Sequence, residues 1–134
     1  MTKIEIKRAI VSVHDKSFLS LLADYFIKYK IEVLSTGGTA RFLKNYSAKL
    51  KIIEISEFTN FSEILDGRVK SLHPKIHSGI LAKKKNTNHV KELKKIETPF
   101  IDLVVVNLYP FERVVNDQKS GKQKCIENID IGGP

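Results

Sequence analysis

The sequence predicts an α/β fold, a three-layer α/β/α sandwich built on a mainly parallel sheet. Three observations predict it. Residues 8–13 (Arg-Ala-Ile-Val-Ser-Val) and 100–107 (Phe-Ile-Asp-Leu-Val-Val-Val-Asn) are short, nearly continuous apolar runs, the pattern of strands buried on both faces. Strand-like runs alternate with helical segments along the chain, which argues for a parallel sheet covered on both faces. Finally, 134 residues with 42% hydrophobic and 28% charged side chains suit one domain able to bury a real core.

Each element follows from its residues. The first strand, residues 8–13, ends in Ser12, His14, Asp15, Lys16 and Ser17. Phe18, Leu19, Leu22, Tyr25, Phe26 and Tyr29 then recur at helical spacing, so residues 17–29 read as an amphipathic helix. Residues 32–35 form the second strand and lead into Leu34-Ser-Thr-Gly-Gly-Thr39, where two glycines permit a tight turn with outward N–H groups. Thr39 is read as the N-cap of a helix over about 39–46. Residues 51–55 are a third strand. Residues 56–80 contain Gly67, Pro74 and Gly79 with no clean period, and read as loop with short helical pieces. A lysine-rich helix spans 86–96, capped by Asn86, Thr87 or Asn88 and packed through Val90, Leu93 and Ile96. Residues 100–107 are the strongest strand and are predicted to lie centrally in the sheet. The chain shows no internal repeat, low-complexity tract or linker.

Composition excludes several classes. No apolar run approaches the roughly 20 residues that span a bilayer, and Met1-Thr-Lys-Ile-Glu-Ile-Lys7 has no signal-peptide core. The single cysteine, Cys125, cannot form an internal disulfide and reads as a plain thiol, fitting a reducing cytoplasm. The net charge of +8 raises a nucleic-acid partner, but the cations are almost all lysine, with arginine only at 8, 41, 68 and 113. Base readers lean on arginine forks, so a solvated lysine surface without a nucleic-acid or membrane partner is expected.

In parallel sheets covered on both faces, ligands bind beyond the C-terminal strand ends. Here those ends deliver Ser12 and Lys16, then Ser35, Thr36, Gly37, Gly38 and Thr39, then Asn107, Leu108 and Tyr109 to one edge. Hydroxyl, amide, phenol and ammonium groups suit a phosphorylated polar ligand such as a nucleotide. A helix N-terminus behind the glycine turn favours its phosphate. The turn alone is generic, since many Gly-Gly turns bind nothing. His73 and His77 stand four apart, with Pro74 between them and no third ligand nearby. They are read as structural, and no metal is expected.

Two further stretches sharpen this reading: Leu65-Asp-Gly-Arg-Val-Lys-Ser-Leu-His-Pro-Lys-Ile-His-Ser-Gly-Ile-Leu81 and Ile126-Glu-Asn-Ile-Asp-Ile-Gly-Gly-Pro134. With Leu34 to Thr39 and Asn107-Leu-Tyr-Pro-Phe111, they closely resemble the N-terminal inosine monophosphate cyclohydrolase domain of bifunctional purine biosynthesis proteins. The resemblance covers essentially the whole chain. It implies a methylglyoxal-synthase-like fold, a homodimer, and closure of 5-formamidoimidazole-4-carboxamide ribotide to inosine monophosphate with loss of water. It implies no metal or organic cofactor.

The resemblance also assigns roles. Lys70 falls at the catalytic lysine, with Arg68 and Ser71 lining the same pocket. Asp130 falls at the catalytic aspartate, and Tyr109 at the tyrosine that assists proton movement or holds the ring. Asn107 matches the asparagine that bonds the substrate carboxamide, and Leu108 and Ile131 are further substrate-binding positions. Gly132 and Gly133 would offer backbone N–H donors near the reacting centre. Ser12, Lys16, Ser35, Thr36, Gly37, Gly38 and Thr39 correspond to the ribose-phosphate cradle. The chemistry agrees: a poorly nucleophilic amide nitrogen must attack a formyl carbon. That calls for a base for its proton and a donor or cation for the developing oxyanion.

Two departures from the pattern stand out. His14 replaces a small hydroxyl residue near the phosphate. The family's Ile-Asp-Ile-Gly-Gly-Pro run opens a helix carrying a second lysine, followed by a transformylase domain. This sequence ends at Pro134 and reads as a domain truncated before that helix. Three alternatives stay open: methylglyoxal synthase on the same fold, a non-catalytic nucleotide-binding domain like the regulatory domain of carbamoyl phosphate synthetase, and a nucleic-acid-binding module. The set Lys70, Tyr109 and Asp130 argues against a pure binder.

Overall fold

The computed structural model describes residues 4–131. Four parallel strands form its sheet, in the order β3-β2-β1-β4. They are β1 (Arg8–Val13), β2 (Glu32–Ser35), β3 (Ile52–Glu54) and β4 (Leu103–Asn107). Among the described residues, seven helices join and cover them: α1 (Leu19–Lys28), α2 (Gly37–Tyr46), α3 (Ile55–Thr59), α4 (Pro74–Leu81), α5 (Thr87–Lys95), α6 (Phe111–Asn116) and α7 (Lys122–Glu127).

Strand alternation sorts the side chains into two cores. Ala9, Val11, Val13 and Val33 pack with Leu19, Ala23 and Phe26 of α1 and Leu43 of α2. On the other face, Ile10 and Leu34 meet Ile55 of α3, Ile76 of α4 and Ile101. The sheet is therefore sandwiched, as predicted. β1 has neighbours on both sides and pairs Ala9 with Val33 and with Leu103.

Several boundaries need correction. β4 lies at an edge of the sheet, not at its centre. Its Leu103 and Val105 pack on the first core, while Val104 and Val106 are 43% and 42% exposed. A run of valines looks the same in a sequence whether one face or both are covered. The third strand is shorter than predicted, because Ile55 opens α3. The N-cap of α2 is Thr36, not Thr39. Gly37, at φ 55°, takes the left-handed turn that starts the helix two residues early. Asn86 caps α5, its side chain accepting from the N–H groups of Asn88 (3.0 Å) and His89 (3.2 Å). Leu93 is the buried anchor of that helix and Ile96 is half exposed.

The two histidines bond within their own segment. His73 caps α4, its Nδ1 accepting from Lys75 N–H at 3.2 Å, and the His77 ring contacts the His73 carbonyl at 3.0 Å. At the N-terminal edge of the sheet, charges are interlocked. Arg8 bonds Glu32 through Nε (2.5 Å) and the Phe100 carbonyl through Nη1 (3.0 Å). Lys51 also pairs with Glu32. Asp102 accepts from the N–H groups of Lys7 (2.9 Å) and Arg8 (3.1 Å) and pairs with Lys84.

Candidate active site

The opposite, C-terminal edge carries a cavity of about 410 Å³, within the usual size range of small-molecule sites. Five segments build it: the end of β1 with the β1–α1 loop, the first turn of α2, the 66–72 loop, the chain at 107–109, and the chain at 126–131. Its walls include Ser12, Lys16, Thr36, Gly38, Thr39, Arg68, Lys70, Ser71, Asn107, Tyr109, Asp130 and Ile131. Ser35, Gly37 and Leu108 are not among its lining residues. Gly132 and Gly133 lie outside the described residues.

Two ammonium groups converge on the start of α2. The Lys70 Nζ lies 3.6 Å from where a Cβ on Gly37 would stand, and 3.7 Å from one on Gly67. The Lys16 Nζ lies 3.7 Å from a Cβ placed on Gly38 and donates to the carbonyls of His14 (3.1 Å) and Val13 (3.3 Å). Larger residues at 37 or 38 would crowd these cations. The N–H groups of the first helical turn add to the positive field, so this corner favours an anion.

The hydroxyls behave differently from the prediction that all three face a phosphate. Ser35 is fully buried and donates to the Val11 carbonyl at 2.7 Å. Thr39 donates to the Val13 carbonyl (3.0 Å) and accepts from Val13 N–H (3.2 Å). Both tie α2 and β2 to β1. Thr36 donates to the carboxylate of Glu63.

Lys70 reaches this corner because its loop doubles back. Leu65, Asp66 and Gly67 take successive left-handed φ values of 53°, 55° and 79°, and Ile64 and Val69 pair in an antiparallel bridge. Left-handed φ at the two non-glycine residues costs about 1–2 kcal/mol each. Arg68 leaves the same turn and pairs with Glu127 of α7 and with Asp66, strapping the loop to the far wall. Opposite, the Tyr109 N–H donates to Asp130 Oδ2 at 3.4 Å. The Tyr109 ring meets His14 edge-on, centroids 5.5 Å apart. Hydrogen bonds from Ser17 hold the Asp15 carboxyl below the ordinary carboxylate range, so the loop bearing Lys16 is also anchored by a fixed negative charge.

The sequence reading omitted Asp66, Gly67 and Glu127 from the site, although all three fall inside the stretches that carry the resemblance. It named His14 only as a departure, and Glu63 not at all. Glu63 is an exposed loop residue in a stretch without period, so no pattern singles it out.

Comparison with known proteins agrees with the fold. The family model for the MGS-like domain matches residues 19–134. The chain belongs to the MGS-like domain family. Among curated proteins, it is 48% identical over 129 residues to the bifunctional purine biosynthesis protein PurH of Ruminiclostridium cellulolyticum. It is 49% identical over 128 residues to PurH of Fusobacterium nucleatum. Each match covers 96% of this chain and 25% of the relative, so this MGS-like chain spans about a quarter of their length. The crystal structure of ForH superposes with a TM-score of 0.75 at 28% identity, covering 96% of this chain and 64% of that one. Among the described residues, no helix is long and apolar enough to cross a membrane.

Proposed function

We propose that this MGS-like domain is an inosine monophosphate cyclohydrolase, closing 5-formamidoimidazole-4-carboxamide ribotide to inosine monophosphate with release of water. One observation carries the reading. Lys70 stands at the seam between the anion corner at Gly37 and the rest of the cavity, which also holds Tyr109 and Asp130. The kinship to proteins named for purine biosynthesis supports it.

The ribotide phosphate would sit on the α2 turn between Lys16 and Lys70, leaving the imidazole toward Tyr109 and Asp130. The carboxamide nitrogen then attacks the formyl carbon and forms the second ring. Negative charge grows on the formyl oxygen, and the Lys70 ammonium stabilises it. Asp130, held by the Tyr109 N–H, accepts the proton leaving the amide nitrogen. The former formyl oxygen takes up that proton, and the hydroxyl then leaves as water with the proton of the formamido nitrogen, which forms the C=N bond of the product.

The test is direct. Mixing the protein with the formamido ribotide should produce the absorbance of inosine monophosphate above the uncatalysed rate. Nucleotide binding without any turnover would instead favour a non-catalytic binding domain.

A further inference from the structure

We propose that Glu63 is a built-in occupant of the anion corner: its carboxylate holds the Thr36 hydroxyl and gives it up when a ligand's phosphate arrives. This rests on the reading of the α2 turn as the phosphate site. Three hydroxyls border that turn, and two are fixed to the β1 backbone inside the protein. Only Thr36 gives its proton to a side chain, and that side chain is an exposed loop carboxylate twenty-seven positions away in sequence. The second Glu63 oxygen lies 3.1 Å from where a Cβ on Gly67 would stand, and the Lys70 ammonium lies 3.7 Å from the same point. The carboxylate is thus lodged between the Thr36 donor and the glycine that Lys70 borders.

A carboxylate offers the acceptor oxygens that a phosphate offers. It satisfies the Thr36 donor and tempers the Lys70 charge on the far side of Gly67. Among the described residues, no ion pair holds Glu63, so rotation of its side chain is enough to vacate the position. A phosphate monoester near neutral pH carries close to two negative charges. It cannot share the Thr36 donor with an ionised carboxylate without strong repulsion. Substrate and product carry the same phosphate, so the competition weakens both alike. That raises the apparent KM and speeds product release without touching the chemical step.

Calorimetric titration of inorganic phosphate and of inosine monophosphate into wild type, Glu63→Ala and Glu63→Gln tests the proposal. Removing a competing charged acceptor should tighten both anions by about tenfold in Glu63→Ala. Glu63→Gln keeps an acceptor without the charge and should give a smaller gain. In a Thr36→Val background the effect of Glu63→Ala should shrink, since the contested donor is gone. Unchanged or weaker binding of both anions to Glu63→Ala overturns the proposal. Tighter phosphate with no nucleotide binding leaves Glu63 as the occupant and removes the nucleotide reading. Nucleotide binding that Glu63→Ala does not alter does the reverse. Absence of any anion binding in every variant overturns both.

Discussion

The carboxamide of Asn107 closes a set of hydrogen bonds with the β1–α1 loop. Its Oδ1 accepts from the N–H groups of His14 (2.6 Å) and Asp15 (3.2 Å), and its Nδ2 donates to the Asp15 carbonyl (2.9 Å). The side chain thereby anchors, at the end of β4, the loop that carries Lys16. Asn107→Ala should cost about 1 kcal/mol of stability and weaken phosphate binding as well, because Lys16 loses its fixed position. Amide exchange at residues 14–17 should quicken while the sheet stays protected; unchanged exchange there would return Asn107 to a ligand-facing role only. Lys70 and Lys16 should separate kinetically, although both are ammonium groups at one helix start. In the proposed mechanism Lys70 also serves the reacting centre, so Lys70→Ala should lower turnover by about 10²–10⁴-fold with a far smaller change in product affinity. Lys16→Ala should do the opposite, raising KM with little effect on kcat. If both variants lose only affinity, the Lys70 ammonium serves the phosphate alone.

The same reasoning applies to whole elements, and α4 is the clearest case. Its Gly79 faces the segment leading into β4, and a Cβ there would stand 3.0 Å from the Pro99 carbonyl and 3.1 Å from the Ile101 side chain. The Gly79 carbonyl also accepts from Ile101 N–H at 2.9 Å. Alanine is the better helix former, so exposed helical positions gain from this change. Here Gly79→Ala should destabilise by about 1–3 kcal/mol, because backbone and a buried isoleucine must move; a rise in melting temperature would contradict the packing described. The sequence predicts α1 and α5 well because each presents one periodic face to a core, as Leu19, Ala23 and Phe26 do in α1, and β1 and β2 because their apolar runs serve both cores. It does not reveal α6 and α7, six residues each, where period has no room to show. Lys16, Thr36 and Lys70 are legible because strand order or motif brings them to one edge. The clamp by Asn107, the fixed hydroxyls of Ser35 and Thr39, and the contact of Glu63 with Thr36 are not. They depend on which partner a polar group meets across 24 to 93 residues of sequence.

Across the whole molecule, the two edges of the sheet divide the labour. The C-terminal edge holds the cavity, whose cations stand ready for a ligand. The N-terminal edge holds charges already matched to one another, around Glu32 and Asp102. Burial pushes the Glu32 carboxyl up, but hydrogen bonds from Lys51 and Arg8 and their charges outweigh it and hold it below the ordinary range. Burial likewise raises Asp102, and bonds from Lys84 and the N–H groups of Lys7 and Arg8 more than reverse it. Both carboxyls therefore bind protons less readily folded than unfolded. Their contribution to stability is complete above the unfolded values, near 4.5 for Glu32 and 3.8 for Asp102. It is lost as pH falls through the lower folded values. Acid also protonates the remaining carboxylates and drives the net charge above +8, adding self-repulsion. The two effects can be told apart with Asp102→Asn, which removes the proton linkage at one site and barely alters the total charge. Urea midpoints for this variant should fall well below wild type at pH 7, where the Asp102 carboxylate still answers Lys84. The gap should narrow steadily below about pH 4, as wild type loses the same interaction by protonation. Curves that stay parallel down to pH 2.5 would assign acid unfolding to overall charge rather than to the matched edge.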